Sequence, residues 1–280
     1  MDAANHTFRK IESRLMQVIT CACALLVIAP LAFVFYHLVS QGVGSLNWNF
    51  FTKLPGVPGE TGGGMANAIV GTLELLVIAS LIGVPFGVFG GVYLSEYGSS
   101  RLNRWIRFAA DVLNGVPSII WGMVVWVLVV KPMHTQSLLA GGIVLGLMMI
   151  PLIMRTAEEV LVLVPGGYRE AAFALGISKW RTIVQIIMRT ALKGIVTGIL
   201  LALARIAGET APLIFTTPGN NYWNHSLTDP VNSLPFQIYY YSTVPYDDQI
   251  RQAWAGALVL LLLITAINVT VRVLTRDRAK

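Results

Sequence analysis

Between Arg14 and Lys53 the chain carries no charged side chain, and long apolar runs return five more times, only one of them interrupted by charge. A bilayer core of roughly 30 Å takes about 20 residues of helix, because backbone amides out of reach of water must be satisfied within the segment. The runs cover about Leu15–Val39, Leu75–Leu94, Val112–Val130, Leu138–Met154, Gly194–Phe215 and Gln252–Val271. Only 12% of the 280 residues are charged and 55% are apolar. Soluble domains carry about 25% charge, so a soluble enzyme is excluded, and so is a disordered chain. The expected fold class is all-α, a polytopic membrane protein with six transmembrane helices.

The net charge of +6 is informative through its placement. Arg9, Lys10 and Arg14 precede the first run; Arg101, Arg104 and Arg107 separate the second and third. Arg155, Arg169, Lys179, Arg181, Arg189 and Lys193 follow the fourth, and Arg272, Arg276, Arg278 and Lys280 end the chain. Sixteen of the twenty basic residues therefore fall on alternate sides of six crossings. Positive charge is retained in the cytoplasm, so both termini are expected there, and a lipid bilayer rather than nucleic acid explains the basic balance. Lys53, Lys131 and Arg251 are left for the outer connections, where Trp48, Phe50, Trp223 and Tyr239 to Tyr241 suit an interfacial belt. The first run is too long for a signal peptide and lacks a small-x-small cleavage site, so it reads as a retained helix. Cys21 and Cys23 point to different faces of it and read as packing residues.

The first outer loop, about Ser40–Asn67, has the Pro and Gly content of a linker. The last, Thr216–Arg251, is rich in Pro, Asn and Tyr, and either returns toward the membrane or meets an external partner. Small residues recur at a spacing of four in Gly83/Gly87/Gly91, Gly142/Gly146 and Gly194/Gly198, the pattern that lets helices approach closely. Pro85 and Pro117, with Gly115, predict irregular backbone in the second and third runs.

Between the fourth and fifth runs, Pro165 and Gly166 suit a break, Glu170–Leu175 a short helix, and Gly176 a left-handed stop. The helix offers Ala171, Ala172, Phe173 and Leu175 as an apolar knob ringed by charge, which serves a partner subunit or a lipid surface equally well. The stretch Glu170-Ala171-Ala172 followed by Gly176 resembles the EAA loop of permease subunits of ATP-binding-cassette importers. Gly115-Val116-Pro117-Ser118-Ile119-Ile120, Arg155-Thr156-Ala157-Glu158-Glu159 and the run from Arg205 to Thr216 are similar to PstA-type permeases of the bacterial phosphate import system. So are Asp229-Pro230, Ser233-Leu234-Pro235 and Gln252-Ala253-Trp254-Ala255. The PstC-type sibling shares the EAA loop, but Ala211-Pro212-Leu213 after Gly208-Glu209-Thr210 favours the PstA type.

The resemblance covers about residues 65–275 and implies a MetI-like type I importer permease fold in a bacterial cytoplasmic membrane. It implies residues 1–64 as an N-terminal segment with the first helix, 65–275 as a five-helix core with the coupling helix at about 166–181, and 276–280 as a tail. It further implies docking of a cytoplasmic ATPase through Arg169, Glu170, Ala171, Ala172, Gly176, Lys179 and Trp180. The implied partners are a PstC-type permease, two copies of a PstB-type ATPase and a PstS-type phosphate-binding protein, with inorganic phosphate as cargo. ATP and magnesium would be bound by the ATPase, and no cofactor by this chain.

An arginine within a span costs roughly 2.5 to 3.5 kcal/mol on insertion scales, so Arg205 needs compensation. Glu209, four residues on, lies on the same face of a continuous helix and would supply a neutral pair. Alternatively Arg205 offers its planar donor fork to an oxyanion in a polar path. Arg155 and Glu158 share a helix side in the same way. The resemblance implies one set of substrate-path residues: Arg155, Glu158, Arg205, Glu209 and Thr210. Glu74 and Asp111, placed at the starts of the second and third runs, read as dipole-stabilised structural carboxylates.

Catalytic signatures are missing. The four histidines, His6, His37, His134 and His225, form no H-E-x-x-H, and neither G-x-S-x-G nor a G-x-x-x-x-G-K-[ST] phosphate loop occurs. An integral-membrane enzyme is thereby disfavoured, and ATP hydrolysis must lie on another polypeptide. A passive channel would need no ATPase dock. An importer of another oxyanion, such as molybdate, would keep the architecture.

Overall fold

A computed structural model describes residues 2–59, 62–97 and 101–276. Thirteen helices follow in order among them: α1 (Asp2–Gly42), α2 (Trp48–Thr52), α3 (Ala66–Glu96), α4 (Arg101–Gly115), α5 (Ser118–Val125), α6 (Lys131–Met133) and α7 (Leu138–Val162). The remainder are α8 (Gly166–Ala174), α9 (Lys179–Arg181), α10 (Met188–Ala207), α11 (Ala211–Thr216), α12 (Leu234–Thr243) and α13 (Asp247–Arg276). π-helical turns over Trp126–Val130 and Thr182–Ile187 join α5 to α6 and α9 to α10. The tail assigned to 276–280 lies outside the described residues beyond Arg276.

Five stretches are long and apolar enough to cross a bilayer: Glu12–Ser45, Ala66–Glu96, Leu138–Val162, Lys179–Ala207 and Asp247–Val273. A bent pair, Arg101–Gly115 and Ser118–Met133, meeting at 103°, makes a sixth crossing when counted as one broken span. The expected third span, Val112–Val130, is therefore corrected. Pro117 removes a donor and pushes Val116 out of the helical region, so the chain turns there and only the part from Ser118 onward can cross. Pro85, by contrast, sits within the unbroken α3, because neighbouring helices in a membrane bundle re-satisfy what it frees.

The core is the α3/α7 pair. Built Cβ atoms on Gly83, Gly87 and Gly91 would stand 2.6 Å from Cβ of Met149, Ile153 and Ala157 in turn. The relation is reciprocal, since Gly142 and Gly146 of α7 face Ile78 and Ile82 of α3. Gly194 and Gly198 of α10 press on Val160 and Thr156 on another side of α7. The spacing-by-four pattern thus acts in full as close-contact surface, gaining dispersion where lipid supplies no hydrophobic drive.

At one end of the bundle lies α8; the connecting segments cap the other. Backbone carbonyls of Thr216, Asp229 and Leu227 accept from Ser137, Leu138 and Leu139, satisfying the first donors of α7. Leu234 donates to Thr72 Oγ1 at 2.8 Å, which ties the start of α12 to α3. The Thr216–Arg251 segment thus returns onto the bundle. The 40–67 loop is not a bare linker either: Phe50 (1% exposed) joins Met65, Leu234 and Tyr241 (2%) in a second core. Phe50 and Tyr241 consequently leave the expected interfacial belt, whereas Trp48, at 81% exposed, stays on the surface.

The described side chains of α1 are exposed along its apolar length until its last turns, where His37 meets Trp254 edge-on at 4.9 Å and Gly42 lies against the Trp254 carbonyl. Cys21 and Cys23 are free and exposed on it, so their expected packing role is not met within this chain.

Candidate functional site

Arg205 occupies the last turn of α10, two turns beyond Gly198, and thus about 10 Å farther from the α8 end than the Thr156 contact. That level is close to the middle of α7. Beyond it the helix stops: Gly208 closes α10, Glu209 and Thr210 are non-helical, and α11 starts at Ala211. The expected fifth span, Gly194–Phe215, is therefore two helices with an unwound link. Pro212 explains part of the break, because its ring would clash with a preceding helical turn and is accommodated at the start of α11.

The break leaves the first of the two readings of Arg205, a neutral pair with Glu209, unmet. Glu209 is half-buried and lines a small interior cavity with Thr72, Leu145, Ser233 and Pro235. Arg205 is exposed and has no hydrogen-bond or ion-pair partner among the described residues.

On the same side of α10, one turn toward α8, Leu201 lines a groove against α13. A 340 Å³ cavity there is bounded by Thr197, Leu201, Ala204, Thr265, Asn268 and Arg272. A second, of 460 Å³, is bounded by Gly208, Thr210, Pro235, Tyr239, Leu261 and Thr265. Both touch Thr265, so the groove runs past the helix break. The Asn268 amide oxygen is buried with no partner. Sequence reading misses Thr265 and Asn268. The available signal is a polar stripe, Thr265, Asn268 and Arg272, at helical spacing in an apolar span.

Arg155 and Glu158 do meet. The Arg155 Nη1 donates to Glu158 Oε2 at 2.6 Å, and its Nε pairs with Asp111 at 2.9 Å. Glu158, 5% exposed, also accepts from Arg107 Nε, while Arg107 Nη2 reaches the Leu94 carbonyl at 3.2 Å. The result is a chain of alternating charge, Arg107, Glu158, Arg155 and Asp111, joining α4 to α7 at the α8 end. Asp111 is three turns into α4 rather than at a helix start, and Glu74 is likewise inside α3, where Asn224 donates to it at 3.3 Å. Their expected dipole role is thus replaced by side-chain partners.

The coupling segment forms as α8, one turn longer at its start than expected, with Pro165 at its N-cap. Gly176 has φ +74°, with Gly176 N donating to Phe173 O and Ile177 N to Ala172 O, the double bond of a Schellman stop. Glu170, Ala171, Gly176 and Trp180 are exposed, and Ala172 is buried against the bundle. Two further residues of the expected docking set, the half-buried Arg169 and the exposed Lys179, are tied to the end of α3. Arg169 binds Glu96 and the carbonyls of Leu161 and Val164, and Lys179 donates to the Glu96 carbonyl with its ammonium 4.0 Å from the Tyr97 ring centre.

A family profile described as binding-protein-dependent transport system inner membrane component matches residues 83–280. The phosphate transport system permease protein PstA of Yersinia pestis is 41% identical over 268 residues, covering 95% of this chain and 91% of that one. PstA of Haemophilus influenzae is 39% identical, covering 95% and 94%. The probable PstA of Methanocaldococcus jannaschii is 35% identical over 98% and 97%. These alignments extend past the 65–275 stretch that carries the motifs. Among solved structures, a chain of the inward-facing MetNI methionine ABC transporter matches with a TM-score of 0.61 at 20% identity, over 77% of this chain and 98% of that one. That likeness establishes the fold: an all-α, polytopic fold of the MetI type. The chain belongs to the inner membrane components of binding-protein-dependent transport systems, within the PstA-type phosphate transport system permeases.

Proposed function

We propose that this chain forms one half of the transmembrane path of an ATP-driven importer of inorganic phosphate, with Arg205 as its mid-membrane anion contact. The observation that carries this is an arginine without an internal partner at mid-depth, beside a helix break. Its charge is too costly to present to hydrocarbon, so its exposed face must meet water, substrate or a companion subunit. Transporter sites recur where helices are interrupted near the bilayer midplane, because freed backbone groups and a wet cavity coincide there.

The α10/α13 groove is open on one side, as expected of a half-conduit closed by a homologous, PstC-type permease. Phosphate delivered by an external PstS-type binding protein would meet the guanidinium fork of Arg205, with Thr210, Thr265 and Asn268 offering further polar contacts. Glu209, turned into the bundle, would hold the unwound link in place. At the α8 end, Arg155 and Arg107 are both neutralised by carboxylates, so an anion leaving Arg205 meets competition rather than a trap.

We place the α8 end, and with it both termini, in the cytoplasm, where α8 would seat on one of two PstB-type ATPases. ATP and magnesium would be held there and not here. Glu170, Ala171, Gly176 and Trp180 form the outer surface for that contact. Arg169 clamps α8, and Lys179 the start of α9, to the end of α3, so a movement of the ATPase would reach α3 and α7 together. Uptake of labelled phosphate by the complete transporter, in competition with molybdate, tests the substrate. Preferential inhibition by molybdate would reassign the conduit to another oxyanion.

A further inference from the structure

The helix α4 is amphipathic in an inverted sense. Its packed side holds Asn103, Ala110 and the ion-paired Arg107, while Leu102, Trp105 (64%), Phe108 (60%) and Val112 are exposed. A helix solvated by water turns the opposite faces inward and outward. At 103° to the following segment, α4 lies near the membrane plane when that segment crosses the bilayer. Its exposed arc then meets the acyl region just below the headgroups, the position of an interfacial helix.

The start of that arc is not apolar. Arg101 and Arg104 have no ion-pair or hydrogen-bond partner among the described residues, unlike Arg107 one turn on. Together with Trp105 and Phe108 they line a 460 Å³ cavity, and the two rings meet edge to face at 6.0 Å. Two guanidinium forks interleaved with two aromatic rings on one face of α4 match a phosphate diester carrying hydrocarbon chains.

We propose that this cavity binds the headgroup of an anionic phospholipid, with Arg101 and Arg104 on the phosphate and Trp105 and Phe108 against the acyl chains. Charge selects the ligand: a zwitterionic lipid brings a cation that two unpaired arginines repel, and free phosphate makes no use of the rings. The lipid would fix α4 in the interface and so brace the bend at Val116-Pro117 that starts the third crossing. The leaflet assignment rests on the proposed cytoplasmic placement of α8; the ligand class does not.

Native mass spectrometry of the complete, purified transporter titrated with phosphatidylglycerol or phosphatidylcholine tests this. Retention of phosphatidylglycerol is expected to weaken roughly tenfold or more in Arg101→Gln/Arg104→Gln and much less in Arg101→Lys/Arg104→Lys. Equal retention in the Gln variant, equal retention of phosphatidylcholine by the unaltered transporter, or displacement by excess inorganic phosphate would overturn the proposal. A photoreactive side chain at Phe108 gives a second readout: cross-linking to phospholipid supports it, and cross-linking to a companion subunit overturns it. Phosphate uptake by the same preparations keeps this separate from the transport reading, which survives if lipid selectivity alone fails.

Discussion

Glu158 of α7 accepts from Arg107 of α4 as well as from its own neighbour Arg155, so a single buried carboxylate joins two helices that the sequence separates by a full crossing. Replacing it leaves two guanidinium groups facing each other. Glu158→Gln is therefore expected to cost roughly 1.5–3 kcal/mol, the range for hydrogen bonds to charged groups. It should lower the thermal midpoint of the purified transporter more than Asp111→Asn, whose carboxylate is the more exposed. Equal midpoints would show that the charge chain does not hold α4 to α7.

The α3/α7 contact makes a separate prediction. A methyl at Gly87 would stand 2.6 Å from the Ile153 Cβ, so Gly87→Ala must push the helices apart, at about 1–3 kcal/mol. Ile153→Gly removes that Cβ and opens space at the same point. The double variant should recover part of the loss, a positive coupling in a thermal double-mutant cycle. Strict additivity would mean that the two residues do not share the contact.

Arg169 and Glu96 should behave as one unit. Either Arg169→Gln or Glu96→Gln frees α8 from the end of α3, and the two together should harm phosphate uptake little more than one alone. ATPase should still co-purify with each, because the exposed surface of α8 is unchanged. Loss of the ATPase itself would place Arg169 in the docking surface instead.

At Gly176 the left-handed φ of +74° sets how α8 ends. Gly176→Ala should cost about 1 kcal/mol in the local stop and loosen ATPase retention during purification. Gly167→Ala, which has open space and no such φ, is the control and should behave as the unaltered chain.

Crossings are legible in the sequence where charge is absent, and the glycine stripes alone point to the faces on which α3, α7 and α10 meet. Helix breaks are harder to read. Gly208 and Pro212 stand in a run apolar enough to pass as one span, so spacing pairs Arg205 with Glu209 on a helix that does not continue between them. Arg107 reads as a loop charge because α4 is too basic to resemble a span, and only its packing against α7 shows the Glu158 contact. Buried Phe50 and Tyr241 carry the same lesson: an aromatic residue beside a membrane run suits a belt or a core equally well until packing decides.

Arg205→Gln bears most directly on the central claim. Labelled phosphate uptake should be abolished while the permease pair and its ATPase still assemble, with Arg205→Lys retaining a fraction because charge remains without the planar fork. Normal uptake by an assembled Arg205→Gln transporter would contradict the account.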